Sequence, residues 1–177
     1  TYARVVRATV KAVREADPSR LFIIDALEWG RKPVMSVVDL GIGQSTRGYD
    51  PMRMSHYKAS WVNGLDWPEP TWPLQLGNET IDKETLREKY IKPFKELEAQ
   101  GSGVHVGEWG CYNKTPHGVA LAWMKDWLSL WREAEWGWAM WNLRGSFGPV
   151  DSGRDDIQYE DFKGHKLDRK MLEMLLE

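Results

Sequence analysis

Residues 104–108 read as a short apolar strand, and the run continues through Gly107-Glu108-Trp109-Gly110, so a carboxylate arrives where the strand ends. A carboxylate held there can attack an electrophilic carbon or move a proton, and the indole beside it offers a flat apolar face. Other polar and aromatic groups stand at or just past expected strand ends: Asp25, Glu28 and Trp29 after an apolar run, Arg47 and Tyr49 after a glycine-rich one, Tyr112 shortly after Glu108, and Trp141 and Arg144 after the last run. Carboxylate, guanidinium, phenol and indole together suit a sugar, whose hydroxyls need hydrogen-bonding partners and whose C–H face needs an aromatic ring. Cleaving a glycosidic bond normally takes two carboxylates working as a pair. The question set by these residues is whether Glu108 has its second.

Other chemistries find little support. The four histidines are scattered, with no His-Glu-x-x-His and no i, i+4 pair, so no metal is expected, and no cofactor either. His56, in Ser55-His56-Tyr57, reads first as a capped loop residue, with a position lining the cleft as the alternative. Gly41-Ile42-Gly43 lacks the third glycine of a dinucleotide loop, and 43–47 lacks the closing glycine of a nucleophile elbow. Cys111, the single cysteine, excludes an internal disulfide and reads as buried filler. A net charge of −2 with mixed signs gives no footprint for nucleic acid or an anionic membrane as partner. No apolar run approaches about 18 residues. The chain opens on Thr1 rather than Met and without a signal-peptide layout, which points to a piece of something longer.

The elements that must position these groups alternate regularly. A helical period covers 2–16, with Val6, Val10 and Val13 opposite Arg4, Arg7, Lys11 and Arg14. Residues 21–25 form a continuous apolar run, expected to be a strand buried on both faces. A short helix is expected at 34–40, a strand at 41–46, a long irregular segment at 47–80, a helix at 81–100 and the strand at 104–108. Thr115 as N-cap and Pro116 at the first position open a helix to about 134. A strand at 136–141, a loop at 142–164 and a helix at 166–177 complete the chain. Strict alternation implies a parallel sheet with right-handed crossovers. A full (β/α)8 TIM barrel typically needs about 250 residues, so the 177 residues make one domain of α/β class, half of such a barrel. In that frame strand parity turns Glu108 inward together with Val106 and Val104, and sends His105 toward the helices. Trp141 likewise turns inward with Ala139 and Gly137, while Trp136, Trp138 and Met140 face helices.

Gly107-Glu108-Trp109-Gly110, Tyr49-Asp50-Pro51 and Trp138-Ala139-Met140-Trp141-Asn142, in this order and spacing, resemble the carboxyl-terminal half of family 5 glycoside hydrolases, the cellulase-like retaining β-glycanases. The resemblance spans nearly the whole chain. It implies that Glu108 is the nucleophile at the end of the seventh barrel strand, that Tyr49 hydrogen-bonds it, and that Trp141 lies under the cleaved sugar. Arg47 stands where many members carry a His. The family's acid/base Glu follows an Asn at the end of the fourth strand, upstream of Thr1; the one Asn-Glu here, Asn78-Glu79, lies elsewhere, and Glu28 has no such role in the family.

Eleven tryptophans in 177 residues are too many for the core alone. Trp29, Trp61, Trp67, Trp72 and Trp109 are expected to be sugar platforms or loop anchors, two of the five touching ligand, and Arg144 is added to the substrate-binding set. Arg47 reads either as a sugar contact or as a brace to Asp50. The expected function is that of an endo-β-1,4-glucanase fragment acting on a β-linked polysaccharide or oligosaccharide, with the nucleophile but not the acid/base, and so inactive alone. Its open strand edges call for a partner, a second copy or an amino-terminal half-barrel. The alternative is a non-catalytic carbohydrate-binding or structural half-barrel that self-associates.

Overall fold

The structure, a computed structural model, describes residues 2–177. The helix Tyr2–Ala16 buries Val6 and Val10 against Val34, Val37 and Ile42 and leaves its charged face wet. The strands are β1 (Ile23–Asp25), β2 (Gly43–Gly48), a hairpin of β3 (Leu74–Leu76) and β4 (Glu79–Ile81), β5 (Val104–Trp109), β6 (Trp138–Met140), and a hairpin of β7 (Glu160–Phe162) and β8 (His165–Leu167). The main sheet runs β1-β2-β5-β6, with every pair parallel. A helical run over 83–98 crosses from β4 to β5, and the helix His117–Ala134 crosses from β5 to β6. This is the α/β half-barrel that the alternation implies.

The core lies between the sheet and its helices. Trp109, Trp123, Trp127 and Trp131 are fully buried in it, with Phe94, Leu97 and Met171. Trp127 stacks on Trp131 with centroids 5.2 Å apart, and Trp109 meets Trp131 edge-on at 4.7 Å. No described helix covers the opposite face, where Gly137 and Ala139 stand exposed. β1 therefore departs from the expected strand buried on both faces: it is an edge strand, with Ile23 52% exposed. A hydrophobic run states that a strand can be buried, not that both of its neighbours are present.

Three local expectations are corrected. The strand β5 does not keep simple alternation, because Thr46 pairs with Val106 and Arg47 pairs with Glu108, leaving Gly107 without a partner. This bulge shifts the parity by one residue. Val106 and Trp109, three apart, both point into the helix-side core, so Glu108 does not share a face with Val106 or Val104. Thr115 is not the N-cap: its hydroxyl donates to the Met54 carbonyl, and the first turn of the next helix is served by Asp156, whose carboxylate accepts from the His117 amide at 2.6 Å. The last helix is Arg169–Leu176, capped by Asp168, and β8 occupies the residues before it.

Candidate active site

The ends of β1, β2 and β5 place Asp25, Arg47, Tyr49 and Glu108 side by side. The Tyr49 hydroxyl donates to Glu108 Oε1 at 2.6 Å. Burial first, and then this hydrogen bond, push the phenol well above its ordinary range, so Tyr49 stays a donor. Arg47 reaches the other way, Nη2 to Asp25 Oδ1 and Nη1 to Ser45 Oγ, each at 2.7 Å. The bulged Gly107 makes room for this: a Cβ there would meet Ser45 Oγ and lie 2.8 Å from Arg47 Nη1. The brace expected between Arg47 and Asp50 is thus replaced by two others, Arg47 with Asp25 and Arg31 with Asp50 at 2.6 Å.

Tyr49 is fixed from behind. Gly48 lies so close to the tryptophan core that a Cβ would sit 2.6 Å from the Trp131 ring and 2.8 Å from Trp109 Cβ. The Asp50 carbonyl accepts from two indoles of the His117–Ala134 helix, Trp123 Nε1 at 3.1 Å and Trp127 Nε1 at 3.2 Å. The buried tryptophans therefore anchor the backbone that carries the phenol.

Above these strand ends opens a cleft of about 740 Å³, lined among others by Asp25, Trp29, Arg47, Tyr49, His56, Trp61 and Glu108. Trp29 is 83% exposed, and both it and Glu28 adopt left-handed backbone, φ 56° and 54°. Non-glycine residues hold that conformation only when their surroundings enforce it. The Arg31 guanidinium lies 5.7 Å from the Trp29 ring centroid. Trp61 meets Tyr112 edge-on at 5.0 Å and His56 at 6.1 Å.

Of the expected platforms, Trp29 and Trp61 line the cleft. Trp109 does not: its ring is fully buried, and the bulge that turns Glu108 into the cleft turns Trp109 into the core. Trp72 donates to Asp126 at 2.8 Å, and Trp67 packs beside Arg53. Trp141, half exposed at the end of β6, is outside the cleft lining, as is Arg144, whose Nε is held by Asp151 at 2.6 Å. His56, read first as a capped loop residue with the cleft as the alternative, does line the cleft and has Ser55 as its partner. Arg31 and Phe147 were not singled out from sequence. Arg31 had a signal, three residues past a strand-end Glu; Phe147 had none, since only the folded loop brings it within 6.3 Å of Tyr49.

A parallel half-barrel with polar groups gathered at the carboxyl ends of its strands is how (β/α)8 enzymes place an active site. The chain belongs to the cellulase family, glycosyl hydrolase family 5, whose family model matches residues 1–146. It is 26% identical to endoglucanase C of Acetivibrio thermocellus and 26% identical to endoglucanase C307 of Clostridium sp. (strain F1), each match covering 76% of this chain and 47% of the relative. A crystal structure of a glycoside hydrolase superposes with a TM-score of 0.92 at 43% identity, covering 99% of this chain and 53% of that one. Endoglucanase Cel5A from Thermotoga maritima, at 21% identity and TM-score 0.75, shares the fold over 98% of this chain and 53% of its own. The chain spans about half the length of these relatives.

Proposed function

We propose that this chain supplies the nucleophile half of a retaining endo-β-1,4-glycanase site, with cellulose-type glucan as the first substrate and mannan or xyloglucan behind it. The observation that carries the reading is the 2.6 Å bond from Tyr49 to Glu108 on the floor of an aromatic-walled cleft. Holding Oε1 leaves the other carboxylate oxygen free to attack the anomeric carbon, and the phenol steadies the charge until attack consumes it. Trp141 stands outside the cleft lining, but its amide donates to the Trp109 carbonyl at 2.7 Å, next to Glu108, and the family resemblance gives it the platform under the cleaved sugar; Trp29 and Trp61 serve sugars further along. The names of the relatives support the substrate class: two are endoglucanases, and Thermotoga maritima Cel5A has been crystallised with cellobiose and with mannotriose.

Retention needs a second carboxyl about 5 to 5.5 Å from the first to protonate the departing oxygen. Asp25 and Asp50, the other carboxylates on the cleft, are each engaged by an arginine. The reading therefore gives the acid/base role to a carboxylate outside these 177 residues, in an amino-terminal half-barrel or a second copy. A dinitrophenyl β-cellobioside tests the assignment, because its leaving group needs no general acid. The 177-residue chain should release dinitrophenol slowly, Glu108→Gln should abolish the release, and cellulose should stay intact. Binding of the cellobioside with no release of dinitrophenol would remove Glu108 from the nucleophile role and leave a sugar-binding half-barrel.

A further inference from the structure

His56 lies on the cleft wall, 8% exposed, and the chemistry above gives it no part. Its Nδ1 is 2.7 Å from Ser55 Oγ. Ser55 Oγ also touches the carbonyl oxygen of Tyr49. A carbonyl can only accept, so the single hydroxyl proton of Ser55 goes to Tyr49. Ser55 Oγ must then accept from His56, which places a hydrogen on Nδ1.

The rings of Tyr49, Phe147 and Trp61 pack edge-on against the imidazole at 5.1, 5.5 and 6.1 Å. Burial among them pushes the His56 pKa down to about 4, against the opposing pull of Asp50 and Glu108. A neutral imidazole carries one hydrogen, already assigned to Nδ1. Nε2 is left as a bare lone pair. It takes no hydrogen bond from the described residues, and it is not sealed from solvent.

We propose that His56 Nε2 is a hydrogen-bond acceptor facing the cleft, and that it reads one sugar hydroxyl which must arrive as a donor. The chemical consequence is selectivity. A free hydroxyl at that position fits; a methyl ether or acetyl ester, with no hydrogen to give, leaves the lone pair unpaired. Ser55 enforces this by fixing the tautomer, and through Tyr49 the same hydroxyl connects the reader to the residue that holds Glu108.

The inference rests on the glycan-binding reading, and the test separates the two. Long-range proton–nitrogen correlation on the nitrogen-labelled chain near neutral pH reports the tautomer with no ligand present. Nδ1–H with a bare Nε2 is expected, and the opposite tautomer would overturn the proposal. In a titration with cellotetraose the Nε2 resonance should shift as it accepts a hydrogen bond. His56→Asn, which imitates Nδ1 only, should weaken cellotetraose binding about tenfold, whereas His56→Gln, whose side-chain oxygen reaches the Nε2 position, should recover much of the loss. Cellotetraose binding with an unmoved Nε2 resonance, or with Asn and Gln variants equal to the parent, sinks the inference and leaves the glycan reading standing. No binding of cellotetraose by the parent chain overturns both.

Discussion

Glu108 is held by a single described hydrogen bond, from Tyr49. Removing it with Tyr49→Phe should leave the fold intact, since the ring keeps its contacts with His56 and Phe147. The bond fixes the direction of the attacking carboxylate, and lost orientation of a reacting group can cost on the order of 10²-fold, so turnover of the dinitrophenyl glycoside should fall roughly 10-fold to 100-fold, read from steady-state rates. His56 gives a stability signature. Its ring protonates at about 4 when folded against 6.5 for the free side chain. Between those values the unfolded chain binds the extra proton, so stability is full above pH 6.5 and drains as pH falls toward 4, by about 2–3 kcal/mol. Urea titrations across that window should show the loss in the parent chain and a smaller one in His56→Gln. Glu108 was legible in the sequence because it closes a short run with valines at the length of a strand, whereas Tyr49 follows the polar, glycine-rich run Gly43–Gly48 and was placed beside Glu108 only by the family resemblance. Trp109 was misplaced although parity spoke against it, since the residue after an inward-pointing Glu108 faces the helices; what no periodicity announces is the bulge, which moves Val104 and Val106 to that same helix side.

Packing against the tryptophan layer decides which elements can move. Gly48→Ala would drive a methyl group into Trp131 and Trp109, both fully buried, and overpacking of this kind costs about 1–3 kcal/mol. A lowered denaturation midpoint at unchanged slope is the expected result. Asp168 joins two helices: it accepts from the Met171 amide as N-cap and from His117 at 2.7 Å. Asp168→Ala should destabilise by about 2–3 kcal/mol, the loss of a cap together with an unpaired buried histidine, measurable by thermal melting. The crossover helices were readable from their apolar stripes over many residues. The two hairpins were not, although both have turn chemistry: Gly77 with φ 62° opens one two-residue turn, and Lys163 and Gly164, both with positive φ, form the other. Three-residue strands carry too little pattern to stand out from the loops around them. Pro93 is similar in kind. It has no N–H to give to the carbonyl four residues earlier, and the helix widens to a π turn over Arg87–Ile91 just before it.

At the scale of the whole chain, a parallel sheet is covered by helices on one face and ends in two unpaired edges, β1 and β6. Parallel sheets are ordinarily covered on both sides, and unpaired edges invite association. The weight-average mass of the chain in sedimentation should therefore rise with concentration, and Ile23→Lys, at an exposed position of β1, should suppress the rise while changing stability by about 0.5 kcal/mol or less. A mass that stays monomeric at every concentration would speak against the partner assigned to this face. Another consequence concerns light rather than chemistry. Trp123 and Trp127 give their indole hydrogens to the backbone beside Tyr49, and Trp127 lies parallel on Trp131. These indoles are thereby wired to the strand end that carries Tyr49, and the near-ultraviolet circular dichroism of that stack becomes a built-in gauge of whether the backbone beside Glu108 is in place.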